Sequence, residues 1–257
     1  MSDERCRICG GAGRIRRRVP VGHVDFGRDF PCLCRRSELE QKYAKRLREE
    51  AGVSLLTVER STFGLFDPGK ARPIIGQDGR VLVSQAEAQE SLDHAKRRAM
   101  EFAAYPDGWL VMIGGPGAGK SHLAFAVVGA CFENPEPIPV HWSSVPQMLD
   151  TLRGSYEDSA YDKMMEALQR VRVLVLDDMG TENLTPWAEE KLFMLLNHRW
   201  GERLPTVITT NMALHKGARF CRKEYGLDGR IHDRLTDQGL LAGKSLVLLK
   251  AGSYRTG

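Results

Sequence analysis

The 257-residue sequence has no apolar, uncharged run approaching the roughly 18 residues that a membrane-spanning helix needs. Its basic N-terminus also lacks the apolar segment of a secretory signal, so we expect a cytoplasmic protein with no membrane partner. Cysteine is scarce after residue 34, since only Cys131 and Cys221 occur in the rest of the chain. No internal repeat or low-complexity tract is present, and the 42% apolar content suffices for a substantial core.

Positive charge is concentrated at the N-terminus. Residues 1–50 hold 13 Lys and Arg against 8 Asp and Glu, whereas the remainder holds 24 against 25. This asymmetry indicates an appended module that meets a polyanion or an acidic partner, with a merely solvated basic surface as the alternative.

Four cysteines in this basic segment form two close pairs: Cys6, Cys9, Cys32 and Cys34. The spacing C-x2-C, 22 residues, C-x-C suits tetrahedral Zn²⁺ in a chain expected in the cytosol. A redox or disulfide pair is the alternative. His23 is either a ligand in place of one thiolate or a lone surface histidine. So short a segment buries little core, so the metal would supply much of its folding free energy.

Composition and turn signals divide the chain into three expected parts. We expect a zinc-binding and connector-helix module at 1–50, a linker at 51–83 and the main α/β domain at 84–257. Residues 37–51 are charged and helix-prone, whereas 61–83 contain several turn signals. Ser84 is positioned to cap the next helix. Apolar residues then recur at gaps of four and three, which places one face of that helix against a core: Ala88, Leu92, Ala95, Ala99 and Phe102.

From this helix onward, apolar strands alternate with helices. The predicted strands are at about 109–113, 138–143, 172–177, 205–210 and 245–250. This alternation is typical of a mostly parallel sheet covered by helices on both faces. A further helix is predicted at 186–200, with Thr185 as its N-cap and Pro186 in its first turn.

The segment GGPGAGKS, residues 114–121, follows the first of these strands and precedes a helix. Gly114, Gly119, Lys120 and Ser121 fill the pattern G-x-x-x-x-G-K-[ST], in which glycines let the backbone wrap a phosphate. Lys120 would reach the β- and γ-phosphates and Ser121 would bind Mg²⁺. A glycine-rich turn with a chance Lys-Ser is the alternative.

Polar side chains end two later strands. Asp177 is expected to hold Mg²⁺, and Asp178 to polarise the water that attacks the γ-phosphate. Asn211, at the next strand end, is expected to orient the same water. Arg230 and Arg234 are four residues apart and share one helix face. We favour Arg234 as a finger reaching ATP in a neighbouring subunit, with Arg230 as the alternative finger. Ordinary surface salt bridges are the alternative role for these arginines.

Six segments, taken in order, resemble the AAA+ ATPases of the DnaC/DnaI helicase-loader type. They are RSTFGLF, the phosphate loop with HLA, LDDMGTE, TTN, GRIHDRL and SYR. The IstB transposition ATPases are near relatives in the same group. The resemblance covers about residues 60–256 and implies a P-loop NTPase with a RecA-like core and strand order 5-1-4-3-2. It assigns ATP binding to residues Gly114, Gly115, Pro116, Gly117, Ala118, Gly119, Lys120, Ser121 and His122.

The resemblance also implies partners. Such ATPases self-associate in the ATP state, grip single-stranded DNA and hold a hexameric replicative DNA helicase. Tyr156, Thr185 and Trp187, with Arg153 nearby, are the residues we expect at the DNA, and core packing is the alternative for both aromatics. The N-terminal module would bind the helicase.

Two departures from the family pattern qualify these expectations. The second acid is Asp178 where many AAA+ proteins have Glu, so hydrolysis is expected to be slow. The sequence also stops soon after its last strand, so no lid domain is expected and the Arg60–Phe66 loop would help clamp the nucleotide. A transposition regulator of the IstB kind and a nucleotide-controlled DNA-binding switch with little turnover are the alternative functions.

Overall fold

The computed structural model describes residues 6–16, 19–21, 26–154, 159–180, 185–211, 229–236 and 246–254. Its contacts divide the chain into two compact units, Met1–Arg48 and Glu49–Gly257. Among the residues described, no helix is both long enough and apolar enough to span a bilayer.

The smaller unit is built on a short antiparallel ribbon. Strand β1 (Arg14–Arg16) pairs with β2 (Asp29–Pro31), and Ile15 lies opposite Phe30. Helix α1 (Leu33–Glu50) follows directly and extends past the boundary of this unit. The connector helix predicted at 37–51 is therefore present but begins four residues earlier, and sequence reasoning missed the ribbon.

The larger unit begins with small elements and continues as alternating strands and helices. The small elements are α2 (Leu55–Glu59), a 3-10 turn (Pro68–Lys70), β3 (Ile74–Ile75) and β4 (Val81–Val83). The main elements are α3 (Gln85–Ala104), β5 (Trp109–Gly114), α4 (Lys120–Glu133), β6 (Val140–Ser144), α5 (Val145–Gly154), α6 (Ser159–Arg170), β7 (Val173–Met179), α7 (Pro186–Gly201), β8 (Thr206–Thr210), α8 (Gly229–Thr236) and β9 (Leu246–Leu249).

The five later strands form one parallel sheet in the order β6-β7-β8-β5-β9. If β5 to β9 are numbered 1 to 5 and the sheet is read from β9 to β6, the order is the expected 5-1-4-3-2. The α/β fold prediction is therefore confirmed. Strand β8 lies between β5 and β7, which brings the ends of three sequence-distant strands to one edge of the sheet.

Side chains alternate between two hydrophobic layers along the strands. In β5, Leu110 and Met112 pack in the layer with α3 and α4, whereas Val111 and Ile113 pack in the layer with α5, α6, α7 and α8. Because helices cover both faces at the centre of the sheet, β5 and the first part of β7 are continuously apolar, whereas β9 alternates between exposed and buried residues. The five residues predicted for the buried face of α3 are all buried, and Ser84 forms a capping box with Glu87.

One buried cation ties the second layer together. Arg199 of α7 is fully buried, and its guanidinium donates to the Thr206 hydroxyl and to the Pro205 carbonyl. It also donates to the carbonyls of Leu168, Gln169 and Val171 at the C-terminal end of α6. These acceptors lack helical partners, so Arg199 acts as a C-terminal cap supplied by another helix.

Candidate functional site

The segment between β5 and α4 turns on two glycines. Gly117 has φ +75° and Gly119 has φ +98°, both in the left-handed region that disfavours other residues. Neighbours also press on this turn, since a Cβ on Gly119 would lie 2.6 Å from the Phe66 ring. The sequence Gly114–Ser121 therefore forms a tight loop that leads from the end of a buried strand into a helix.

Lys120 lies at the first position of α4 and only 6% of it is exposed. Its Nζ donates to the carbonyl oxygens of Gly114 and Gly115, both at 2.9 Å, and to Asn211 Oδ1 at 2.6 Å. The ammonium thus joins the loop to the end of β8. The structure brings together two residues that are 91 positions apart in the chain.

Asp177 meets two hydroxyl groups at the end of β7. Its Oδ1 accepts from Ser121 Oγ at 3.1 Å and from Thr209 Oγ1 at 2.5 Å. Burial raises the pKa of Asp177, and these two hydrogen bonds oppose that rise. Hydroxyl and carboxylate oxygens are the donors that Mg²⁺ prefers, so Ser121 and Asp177 fit a magnesium ion.

Asp178 has a different environment from Asp177. Its φ is +60°, and the pairing of β7 with β8 shifts register between Leu176 and Met179. Its Oδ1 lies 3.5 Å from Asn211 Nδ2, at the long limit of a hydrogen bond. The kink turns two consecutive acids in different directions, one toward Ser121 and the other toward Asn211.

A cavity of about 290 Å³ adjoins the loop, close to the lower limit for small-molecule sites. Its lining combines loop residues with residues from two distant segments: Leu65, Phe66, Asp67, Lys70, Gly117, Gly119, Lys120, Ser121, His122 and Tyr254. His122 Nε2 donates to the Thr62 carbonyl at 2.8 Å, and its ring lies 5.4 Å from that of Phe66. The predicted contribution of the Arg60–Phe66 loop stays a prediction, although Leu65 and Phe66 do lie at the cavity.

Sequence reasoning missed Asp67, Lys70 and Tyr254 as cavity residues. Tyr254 donates through its hydroxyl to the Asp67 carbonyl at 3.1 Å and through its amide to the Gly117 carbonyl at 3.1 Å. Burial raises the pKa of Tyr254, and the Asp67 charge adds to that rise. The only signal in the sequence was the SYR motif, which does not indicate that Tyr254 contacts a loop more than 100 residues earlier in the chain.

The two arginines of α8 lie on α7 of the same chain. Arg234 donates to Asn197 Oδ1 and lies 4.2 Å from the Trp200 ring centre, and Arg230 lies 4.3 Å from that of Phe193. Arg230 is exposed and Arg234 is partly buried. Any contact with a nucleotide in a neighbouring subunit stays a prediction for both.

Two of the three predicted DNA residues lie together at the start of α7. Thr185 caps this helix through Ala188 N, and Arg153 donates to its hydroxyl at 3.4 Å. The same guanidinium lies 5.2 Å from the Trp187 ring, which is partly buried against the second hydrophobic layer. Tyr156 falls outside the described residues. Packing therefore accounts for part of the Trp187 surface, and DNA contact stays a prediction.

Three cysteines of the smaller unit converge. The sulfur atoms of Cys6, Cys9 and Cys32 all lie within 4.8 Å of one another, and Cys6 Sγ is 3.7 Å from Cys32 Sγ. That separation is too long for a disulfide and close to the roughly 3.8 Å edge of a tetrahedron with Zn–S bonds of about 2.3 Å. Gly13 N donates to Cys9 Sγ, which favours a thiolate. These donors fit zinc, whereas the Cys34 side chain and His23 lie outside the described part.

Together the parallel sheet, the glycine loop and the strand-end acids define a P-loop protein of the AAA+ class. The family model for the IstB-like ATP binding protein matches residues 88–256. This chain therefore belongs to the IstB-like ATP-binding protein family, and the resemblance stated from the motifs is confirmed.

Relatives fall into two groups. The replicative helicase loader DnaI of Bacillus subtilis is 27% identical over 40% of this chain and 33% of its own length. An insertion-sequence ATP-binding protein of Sinorhizobium fredii is 34% identical over 48% of this chain and 53% of its own. The IS21 ATP-binding protein of Pseudomonas aeruginosa is 24% identical over 89% of this chain and 76% of its own. The chain thus spans about a third to a half of the first two.

Solved structures agree on the fold. The crystal structure of the DnaC helicase loader has a TM-score of 0.50 at 25% identity, covering 62% of this chain and 89% of the DnaC chain. The crystal structure of DnaI has a TM-score of 0.51 at 21% identity and covers 70% of this chain and 92% of that chain.

Proposed function

We propose that this protein is an ATPase that loads a hexameric replicative DNA helicase onto single-stranded DNA. One observation carries the ATPase part, namely the hydrogen-bonded set that joins Lys120 to Asn211 and Ser121 to Asp177 at the ends of three adjacent strands. The names of the DnaI and DnaC relatives support the loader part.

The residues of this set divide the chemistry among them. Lys120 would exchange its three present acceptors for phosphate oxygens, which are equally good partners for an ammonium. Asp178 and Asn211, which face each other, would hold the attacking water between a base and an amide. Ser121 and Asp177 would hold Mg²⁺, which supplies positive charge beside the β- and γ-phosphates.

The remaining assignments complete the proposal. Arg234, or Arg230 in its place, would act on ATP of a neighbouring subunit in a self-associated state. Thr185 and Trp187, with Tyr156, would contact single-stranded DNA. The zinc module would bind the helicase, which its basic charge suits if the helicase surface is acidic. With Asp178 as the base, which is one methylene shorter than Glu, turnover would be slow.

The test uses the full chain, a hexameric replicative helicase and circular single-stranded DNA coated with single-strand-binding protein. We expect wild-type protein with ATP to transfer helicase to the DNA, measured as unwinding of an annealed strand. Lys120→Ala should abolish transfer through the ATP site, and Cys9→Ser should abolish helicase capture in a pull-down. Absence of helicase binding with ATP and with ADP would contradict the loader assignment.

A transposition regulator is the second candidate, favoured by the long match to the IS21 protein, which covers more of both chains than the DnaI match does. It predicts that the protein stimulates strand transfer by an IS21-type transposase and does not bind the helicase. A binding switch with little turnover predicts that Lys120→Ala loses function whereas Asp178→Asn retains it. Steady-state ATP hydrolysis by the two variants separates this switch from a true hydrolase.

A further inference from the structure

We infer that Thr209 is a positioning residue for ATP hydrolysis, because its one hydroxyl group fixes both consecutive acids at the end of β7. The inference rests on the proposed ATPase function and deepens it. Thr209 is fully buried in β8, between the strands that carry the phosphate loop and the acids.

The hydroxyl forms a bridge with a defined direction. The Asp178 amide donates to Thr209 Oγ1 at 2.9 Å, and Oγ1 lies 2.5 Å from Asp177 Oδ1. An amide nitrogen only donates, so the hydroxyl accepts from it and directs its own proton to the carboxylate. One side chain therefore holds the backbone of Asp178 and the carboxylate of Asp177 at once.

The backbone that this bridge holds is an unfavourable one. Asp178 has φ +60°, and the ladder between β7 and β8 is irregular at this point. Residues with a Cβ avoid the left-handed region, which persists only where surrounding contacts impose it. Asp and Asn tolerate this region better than longer side chains do, which accounts for Asp178 where many AAA+ proteins carry Glu.

Loss of the bridge should affect the acids and spare the loop. The hydrogen bonds of Lys120 to Gly114, Gly115 and Asn211 do not involve Thr209. We therefore expect a variant without the hydroxyl to bind nucleotide normally in the absence of metal. We expect two quantities to fall in this variant: kcat, and the increase in nucleotide affinity that Mg²⁺ causes.

The adjacent residue provides a matched control. Thr210 is also fully buried in β8, and its hydroxyl donates to the Met179 carbonyl at 2.7 Å, so it too ties β8 to β7. The bridge between Asp177 and Asp178 is made by the Thr209 hydroxyl and not by that of Thr210. Thr209→Val and Thr210→Val remove the same group from neighbouring positions at similar volume, and only the first removes the bridge.

The experiment measures kcat, KM and the Kd of a fluorescent non-hydrolysable ATP analogue, with Mg²⁺ and with EDTA. We expect Thr209→Val to lower kcat and the affinity gain from Mg²⁺ by about tenfold or more, with the Kd in EDTA within about twofold of wild type. Thr209→Ser should restore both quantities to within about threefold, since it keeps the hydroxyl. Thr210→Val should retain the Mg²⁺ gain.

Equal behaviour of Thr209→Val and Thr210→Val would overturn the inference, as would a Thr209→Ser variant that loses the Mg²⁺ gain. If Thr209→Val does not fold, Thr209→Ala must show the same loss relative to Thr209→Ser. A wild-type protein that neither binds the analogue nor differs from Lys120→Ala would instead contradict the proposed ATPase function. If the wild-type protein binds the analogue but does not hydrolyse ATP, the increase in affinity caused by Mg²⁺ is compared between wild type and Thr209→Val. An equal increase in both proteins would then overturn the inference.

Discussion

Replacement of Gly119 by alanine should destabilise the larger unit and damage the cavity together. Gly119 has φ +98°, where a Cβ costs about 1–2 kcal/mol. The added Cβ would also lie 2.6 Å from Cε2 of Phe66, a ring that is only 4% exposed, and such overpacking costs about 1–3 kcal/mol. The sum of about 2–5 kcal/mol corresponds to a fall in Tm of roughly 5–15 °C for a unit of this size.

Gly115→Ala is the control for this prediction. A Cβ at Gly115 meets nothing within 4 Å, and its φ is outside the left-handed region. Thermal unfolding of the nucleotide-free proteins should place Gly115→Ala close to wild type and Gly119→Ala well below it. Because Phe66 lines the cavity, Gly119→Ala should also weaken binding of an ATP analogue. Equal Tm values for both variants would refute the strained-loop argument.

Three further predictions concern other parts of the molecule. Because the pKa of Asp177 is raised, its ionised form lowers the stability of the folded protein above that pKa. Asp177→Asn should therefore raise the Tm of the nucleotide-free protein at pH 7. The Tm difference should shrink at lower pH, as the wild-type carboxyl becomes protonated. A Tm difference that grows in acid would contradict this cause. Arg199→Met should lower the free energy of unfolding in urea by about 3 kcal/mol, because buried carbonyls lose their donor; a change below about 1 kcal/mol would show that water or other groups satisfy them. Wild-type protein purified without chelator should contain one Zn²⁺ per chain by atomic emission, and Cys9→Ser should contain little; equal metal content would place the zinc elsewhere.

The sequence predicted those features that repeat or stay local. Strand–helix alternation marked the parallel sheet, and the gaps of four and three marked the buried face of α3. The tight loop that contains Gly119, Lys120 and Ser121 was predicted because its residues are contiguous in sequence. Thr185 was found as a helix cap because the cap and the first turn are neighbours in the chain.

Other features depend on contacts between distant segments, which no local pattern encodes. The bridge from Thr209 to Asp177 and Asp178 requires the register of β7 against β8 and an irregular ladder. The contact of Tyr254 with Gly117 requires the path of the chain after β9. The ribbon of the smaller unit was missed because its strands are three residues long and carry no alternation of usable length.

Isothermal titration of the full chain with a non-hydrolysable ATP analogue measures whether ATP with Mg²⁺ binds over the loop Gly114–Ser121. We predict one nucleotide per chain for wild type in Mg²⁺. Lys120→Ala should bind at least about tenfold more weakly, because the ammonium that faces the loop is lost. Absence of binding to wild type, or equal binding to Lys120→Ala, would show that this loop is not the nucleotide site.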